Sequence, residues 1–136
     1  NKTIPTTGTV FLSVSNKLKL EFGDVAQELI DLGFNLIATK GTAAHLRREG
    51  ISSKVIWRIS DRKQPDILSV MRNKKVDLII NLPTGRRAAT DGAQMRRLAV
   101  ELGIPFITTL TGAKAAISSL KEGETKHLMP LKKIKL

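Results

Sequence analysis

The chain has 136 residues, 41% of them hydrophobic, which is enough for one domain with its own core and too few for two. It has no cysteine, so disulfides, cysteine-ligated zinc and a cysteine nucleophile are excluded, and no apolar run approaches the roughly 18 residues that cross a bilayer. Lysine and arginine outnumber aspartate and glutamate by 23 to 12, and the formal charge of +11 points to anionic partners, either nucleic acid or phosphate-bearing ligands.

The predicted elements follow in chain order. Gly8 to Ser15 is a short apolar run with polar borders, which reads as a buried strand. From Lys17 to Leu32 the apolar positions Leu20, Val25, Ala26, Leu29 and Ile30 recur at helical spacing, with Gly33 as the stop. Phe34 to Ala38 reads as the second strand, Thr42 to Glu49 as a short helix ended by Gly50, and Lys54 to Ile59 as the third strand. Pro65 suits the first turn of a helix over 66–73, where its missing N–H is not needed. Val76 to Asn81 reads as the fourth strand, Ala88 to Leu102 as a helix stopped by Gly103, and Ile104 to Leu110 as the fifth strand. A last helix opens at Thr111-Gly112 and runs to about Leu120.

Strands that are continuously apolar and alternate with helices indicate a parallel sheet covered on both faces, and right-handed crossovers make that an α/β/α sandwich. Ligands of such sheets bind outside the carboxyl ends of the strands, near the switch in strand order. The segments to search are therefore Ser13 to Lys19, Thr39 to Thr42, Arg58 to Gln64, Asn81 to Arg87 and Thr108 to Gly112.

Thr39-Lys40-Gly41-Thr42 offers two hydroxyls, a glycine that admits a close backbone approach, and the free N–H groups of a helix start. Ordinary N-capping by Thr39 or Thr42 explains the same residues without a ligand. Asn81-Leu82-Pro83-Thr84-Gly85-Arg86-Arg87 gathers an amide, a hydroxyl and two guanidinium forks suited to phosphate or carboxylate. The alternative is a turn whose arginines face solvent or pair with Asp91. Lys17, Lys19 and Arg58 add positive charge at other strand ends. Each alone reads as surface, but together they converge on one predicted anion site.

The basic pairs Arg47-Arg48, Arg86-Arg87 and Arg96-Arg97, and the tail lysines Lys132, Lys133 and Lys135, are scattered along the chain. With four Phe, one Trp and no Tyr there are few aromatics on which bases could stack. Catalytic patterns are sparse too. His45 and His127 lie away from the strand ends, Ser13 and Ser15 have no evident base, and Asp91 is a lone acid near the crevice. Asp61 and Asp66 flank a basic loop and read as a surface pair or a helix cap. Neither a G-x-G-x-x-G nor a Walker loop is present.

The runs LSVSNKLK, GFNLIATKGTAAHLRREGI and VDLIINLPTGRRAATDGAQMRRLAVELGIPFITTLTGAKAAI, in this order, resemble the methylglyoxal-synthase-like domain that ends the large chain of carbamoyl phosphate synthetases. The resemblance covers residues 8–120, preceded by a linker over 1–7 and followed by a basic tail over 121–136. It implies a five-stranded parallel sheet of order 3-2-1-4-5 and a regulatory domain without chemistry or cofactor of its own. The parent would be the large chain of a glutamine-hydrolysing carbamoyl phosphate synthase, a cytoplasmic ligase of pyrimidine and arginine biosynthesis, of which this chain, starting at Asn1, would be a piece.

The implied effectors are the nucleotide monophosphates UMP and IMP. The implied partners are the rest of the large chain and its glutaminase small subunit, with no nucleic acid and no membrane. The resemblance places Ser13, Lys19, Thr39, Thr42, Arg58, Asn81 and Thr84 at the effector pocket, with Lys19, Thr39 and Thr42 on the phosphate and the Gly41 backbone beside it. Arg86 and Arg87 are the next candidates for that phosphate. Arg58 stands where bacterial members commonly carry lysine, and Pro83 where some carry a hydroxyl residue. Phe106 and Thr108 match the region that contacts ornithine in some members, with Phe106 in place of a tyrosine. Free-standing methylglyoxal synthase, which acts on dihydroxyacetone phosphate, shares the fold but needs an aspartate base. Anchoring on Val76 to Ile80 puts Gln64 at that position, and glutamine takes no proton at neutral pH.

Overall fold

The computed structural model describes residues 4–15, 18–82 and 86–128, and the side chains of all of these except 19–20, 86–89 and 124–128. The elements are β1 (Thr9–Val14), α1 (Lys19–Asp31), β2 (Asn35–Ala38), α2 (Lys40–Arg48), β3 (Lys54–Val55), α3 (Ile67–Arg72), β4 (Leu78–Leu82), α4 (Arg86–Leu102), β5 (Phe106–Ile107) and α5 (Leu110–Leu128). The sheet has five strands in the order β3-β2-β1-β4-β5, and every pairing is parallel. Fold and strand order are as the resemblance implied.

The period of two along β1 divides the core. Val10, Leu12 and Val14 join one cluster with Phe22, Val25, Ala26 and Leu29 of α1, Ala43 and Leu46 of α2, and Ala113, Ile117 and Leu120 of α5. Phe11 points the other way, into a cluster with Ile67 and Met71 of α3 and Met95 and Ala99 of α4. Both faces of the central strands are therefore apolar, and α1, α2 and α5 cover one while α3 and α4 cover the other. Phe11 and Phe22 are each 1% exposed, and truncating either to alanine is expected to cost about 3–5 kcal/mol.

Three helices end alike. After α1 the Gly33 N–H donates to Ile30 O and the Phe34 N–H to Leu29 O, and the same pair of bonds closes α2 at Gly50 and α4 at Gly103. The residue after the helix takes a left-handed conformation, which glycine adopts without strain. After α3 that position is held by Lys74, at φ 58.

Several boundaries differ from expectation. β3 keeps only Lys54 and Val55 in its ladder, so Arg58 does not end a strand. Past Ile56 the chain leaves the sheet edge, and Trp57 pairs with the start of the next helix instead, its N–H donating to Pro65 O and its carbonyl accepting from the Ile67 N–H. Pro65 is not in the first turn of α3. It precedes Asp66, which is the N-cap and accepts the Ser69 N–H at 2.9 Å.

β5 is shortened at both ends. Pro105 has no N–H to offer the ladder, and Thr109 caps α5 through its Oγ1, which accepts the Gly112 N–H at 2.9 Å. α5 opens at Leu110 and runs to Leu128, beyond the expected end near Leu120. α2 begins at Lys40 with Thr39 as N-cap, so Thr42 lies in its first turn and not at its start. α4 begins at Arg86, not Ala88.

Candidate functional site

β1 lies at the centre of the sheet, with β2 on one side and β4 on the other, so the strand order reverses at its carboxyl end. The β1–β4 ladder continues to the Val14–Leu82 pair, whereas the β1–β2 ladder stops at the Leu12–Ala38 pair. A gap therefore opens between the ends of β1 and β2. The Val14 N–H has no β2 residue opposite and donates to Thr42 Oγ1 at 3.1 Å instead. A side chain of α2 thus stands in for the missing strand residue.

Ser13, Thr39, Arg58 and Asn81, from four separate segments, line one cavity of about 30 Å³ beside this gap. Asp91 of α4 completes the polar wall, and Phe11, Ile59, Ile67 and Met95 supply the apolar part. The volume holds about one water molecule, well under a ligand-sized pocket. The cavity is the floor of the crevice, and the segments that directly follow β1 and β4, residues 16–17 and 83–85, lie outside the described residues. Asn81 is 3% exposed and inside β4, not in a loop. Gly92 of α4 makes room for it, since a Cβ there would stand 3.0 Å from Asn81 Nδ2.

Thr39 has the extended backbone of an N-cap (φ −67, ψ 160), yet its side chain makes no capping bond to α2. Its Oγ1 instead donates to Thr42 Oγ1 at 3.1 Å. The first turn of α2, Lys40-Gly41-Thr42, so keeps its N–H groups free of a side-chain cap, and the helix dipole adds partial positive charge there. Thr42 is 2% exposed and does not line the cavity. Its hydroxyl accepts from Val14 and Thr39, which makes it a structural pin one hydrogen bond behind the crevice. The expectation put this side chain at the effector phosphate; its hydroxyl is bonded to Val14 and Thr39.

Arg58 approaches the cavity from the turn before a short 3-10 helix, Ile59–Asp61. Its guanidinium forks onto Asp61, with Nη2 to Oδ1 at 3.0 Å and Nε to Oδ2 at 3.4 Å, and its backbone N–H donates to Asp61 Oδ2 at 3.0 Å. The side-chain hydrogen bond to Asp61, against some burial, raises the Arg58 pKa above its ordinary value, and the Asp61 and Asp91 charges add to this. The reciprocal bond from Arg58 holds the Asp61 carboxyl below the usual carboxylate range, with the Arg58 and Lys63 charges contributing. The surface pair and the helix cap expected of Asp61 and Asp66 are both present.

Asp91 is 8% exposed, and its Oδ2 accepts from Ser60 Oγ at 2.8 Å and Ser60 N at 3.3 Å. The described partner of Asp91 is thus Ser60, while the side chains of Arg86 and Arg87 lie outside the described residues. Sequence reasoning set Asp91 aside as a lone acid. A usable signal was present, because Asp91, Met95 and Ala99 fall at i, i+4 and i+8, one carboxylate on an otherwise apolar stripe.

Of the other expected residues, Lys19 opens α1 and Arg86 and Arg87 open α4, but the described structure does not include their side chains, and Thr84 lies outside it altogether. Gly41 is exposed in the first turn of α2. Phe106 and Thr108 are half-buried at the β5 edge, where the Arg96 guanidinium sits 5.1 Å from the Phe106 ring centre. Gln64 does not line the crevice. Its amide is engaged with Asp66, Nε2 donating to Oδ2 and Oε1 accepting the Asp66 N–H, both at 3.2 Å. Among the described residues no group of three or more His, Asp or Glu is placed to hold a metal, and no helix is long and apolar enough to cross a membrane.

A larger cavity, about 900 Å³, lies at the opposite end of the sheet against Thr9, Asn35, Ser53, Lys54, Val70 and Lys75. It contains none of the candidate site residues and no opening turn of a long helix. Volume and chemistry point to different ends, and the placement of polar donors favours the smaller, carboxyl-end crevice.

A solved structure of ForH covers 88% of this chain with a TM-score of 0.56 and 17% identity, a likeness of fold. The large chain of carbamoyl phosphate synthase, C-terminal section, from Methanocaldococcus jannaschii is 44% identical over 94% of this chain. The large chain from Methanosarcina barkeri is 42% identical over 89%, and the C-terminal section from Methanopyrus kandleri 42% identical over 87%. The chain spans 21%, 12% and 22% of these three relatives. The family model described as the MGS-like domain matches residues 21–108, and with β1, β2, β4 and their crevice arranged as above, the chain belongs to the MGS-like domain family.

Proposed function

We propose that this chain is the allosteric domain of a carbamoyl phosphate synthase large chain and that it binds nucleotide monophosphates, UMP and IMP, at the carboxyl-end crevice. What supports this reading is the convergence of Ser13, Thr39, Arg58 and Asn81 on one cavity beside the uncapped first turn of α2. A phosphate suits that turn, where N–H groups and a helix dipole meet a positively charged guanidinium. The ribose and base would lie over the crevice floor, toward Asn81 and Asp91.

In this reading the domain carries no chemistry and no cofactor. By the resemblance Gln64 stands where methylglyoxal synthase carries its base, and its amide is engaged with Asp66. The synthase reaction, glutamine-hydrolysing and ligase in type, belongs to the rest of the large chain and its glutaminase small subunit, with which this domain associates in the cytoplasm. Ornithine would be sensed near Phe106 and Thr108. Two ligands at two places act on one enzyme only through their differential affinity for its states.

Calorimetric titration with UMP and IMP at low and high salt tests the reading. One-to-one binding with a modest salt dependence is expected. Oligonucleotide binding with a steep salt slope, and no heat from either nucleotide at millimolar concentration, would show that the net charge serves nucleic acid instead.

A further inference from the structure

Arg58 lines the crevice, yet its guanidinium is held on the Asp61 carboxylate of its own turn by two side-chain contacts. The side chain is 52% exposed and Asp61 23%, so the guanidinium is open to solvent on the side away from that carboxylate. A second carboxylate, Asp91, stands 8% exposed in the crevice wall. Among the described side chains, an anion that enters therefore meets two carboxylates and one guanidinium already committed to one of them.

We infer that Asp61 is the counter-ion Arg58 must leave in order to take an incoming anion, so that Asp61 sets the affinity of the crevice for phosphate-bearing ligands. This rests on the nucleotide-site reading above and adds a residue that the reading does not require. The exchange moves no proton and breaks no covalent bond. One charge-assisted fork is traded for another, and affinity is the difference between them. The Arg58 backbone N–H bond to Asp61 Oδ2 can persist during the exchange, which keeps the 3-10 turn in place while the side chain swings.

The probes are UMP, IMP and uridine, titrated against the parent chain, Asp61→Asn, Arg58→Gln and the double variant, with melting temperature followed for each. Asparagine keeps the acceptor for the Arg58 N–H, so the turn should survive. Asp61→Asn is expected to tighten UMP and IMP about three- to five-fold, the scale of an exposed ion pair. The same change in the Arg58→Gln background should have no more than a marginal effect, because the pair it relieves is already gone. Uridine, lacking phosphate, should not distinguish parent from Asp61→Asn. If the parent binds UMP and Asp61→Asn leaves affinity unchanged or lowers it, the inference fails and the nucleotide site stands. If Asp61→Asn tightens UMP equally with and without Arg58, Asp61 acts as a bulk charge and the inference fails again. If neither parent nor Asp61→Asn binds at millimolar concentration, the nucleotide-site reading fails and takes this one with it.

Discussion

The two ends of the sheet are built on opposite terms. At the carboxyl end the cavity is small and its polar groups are placed by secondary structure: Ser13 by β1, Asn81 by β4, Thr39 by the N-cap of α2 and Asp91 by the apolar stripe of α4. At the amino end the cavity is about thirty times larger, with Phe34, Leu36, Ile37 and Ile56 among its lining, and its polar groups include Thr9, Asn35, Ser53, Lys54, Asn73 and Lys75. Volume alone would select the second. What distinguishes the first is that its donors meet at the point where strand order reverses, and one of them caps nothing in its own helix.

The largest expected effect that separates the ends is on affinity. Thr39→Ala should weaken UMP binding about 10- to 100-fold, since a hydrogen bond to a charged group is worth about 1.5–3 kcal/mol, and Asn81→Ala, facing the neutral ribose and base, about 2- to 10-fold. Ser53→Ala and Lys54→Ala at the amino end should change it by less than about two-fold. Calorimetry on the four variants checks this, and reversed sensitivities would move the site to the larger cavity.

Next in size is the cost of the pin at Thr42. Thr42→Val keeps the shape but leaves the Val14 N–H without its acceptor, an expected loss of about 1–3 kcal/mol in urea unfolding. Thr42→Ser should restore most of it. Equal stability of the valine and serine variants would mean that the pin is dispensable.

Gly92→Ala sharpens the carboxyl end in another way. Alanine in a helix ordinarily gains about 0.5–1 kcal/mol over glycine. Here the new methyl would crowd Asn81 Nδ2, so that gain should be cancelled and UMP affinity should fall by about three- to ten-fold. Lys74→Gly is the converse at the amino end. It relieves a left-handed lysine after α3, and should stabilise the chain by about 0.5–1 kcal/mol without altering UMP affinity.

The smallest expected effect concerns acid. Because Arg58 depresses the Asp61 pKa in the folded chain, the pair's contribution is complete above the unfolded carboxylate value of about 3.9 and is lost as pH falls through the lower folded value. Asp61→Asn should therefore cost under about 1 kcal/mol at neutral pH, with a deficit that shrinks toward zero in strong acid. Melting curves at several pH values check the sign.

Much of this was legible in the sequence, and unevenly so. The central strands could be read because Val10 to Leu12 and Leu78 to Ile80 are buried on both faces and so carry no polar interruption. The Val55-Ile56-Trp57 run looks alike but belongs to a sheet edge. Only Ile56 enters the core, while Val55 is 36% exposed and Trp57 turns out to meet Lys63. Local composition cannot separate these, because the difference lies in what packs above each residue. At the site, the strand-end rule named Ser13, Thr39, Arg58 and Asn81, and these four line one cavity. It could not foresee that Thr42 would be consumed by the Val14 N–H, nor that Asp91 would be held by Ser60 across 31 positions, since both depend on how α2 and α4 settle on the sheet.

Backbone amide shifts during a titration of the isotope-labelled chain with UMP test the central claim most directly, because every assigned residue reports its own position. Saturable shifts are expected at Ser13, Thr39 to Thr42, Arg58 to Asp61, Asn81 and Asp91, with the amides of Asn35, Ser53, Asn73 and Lys75 unmoved. Shifts concentrated at those amino-end residues, with the carboxyl-end amides silent, would contradict it.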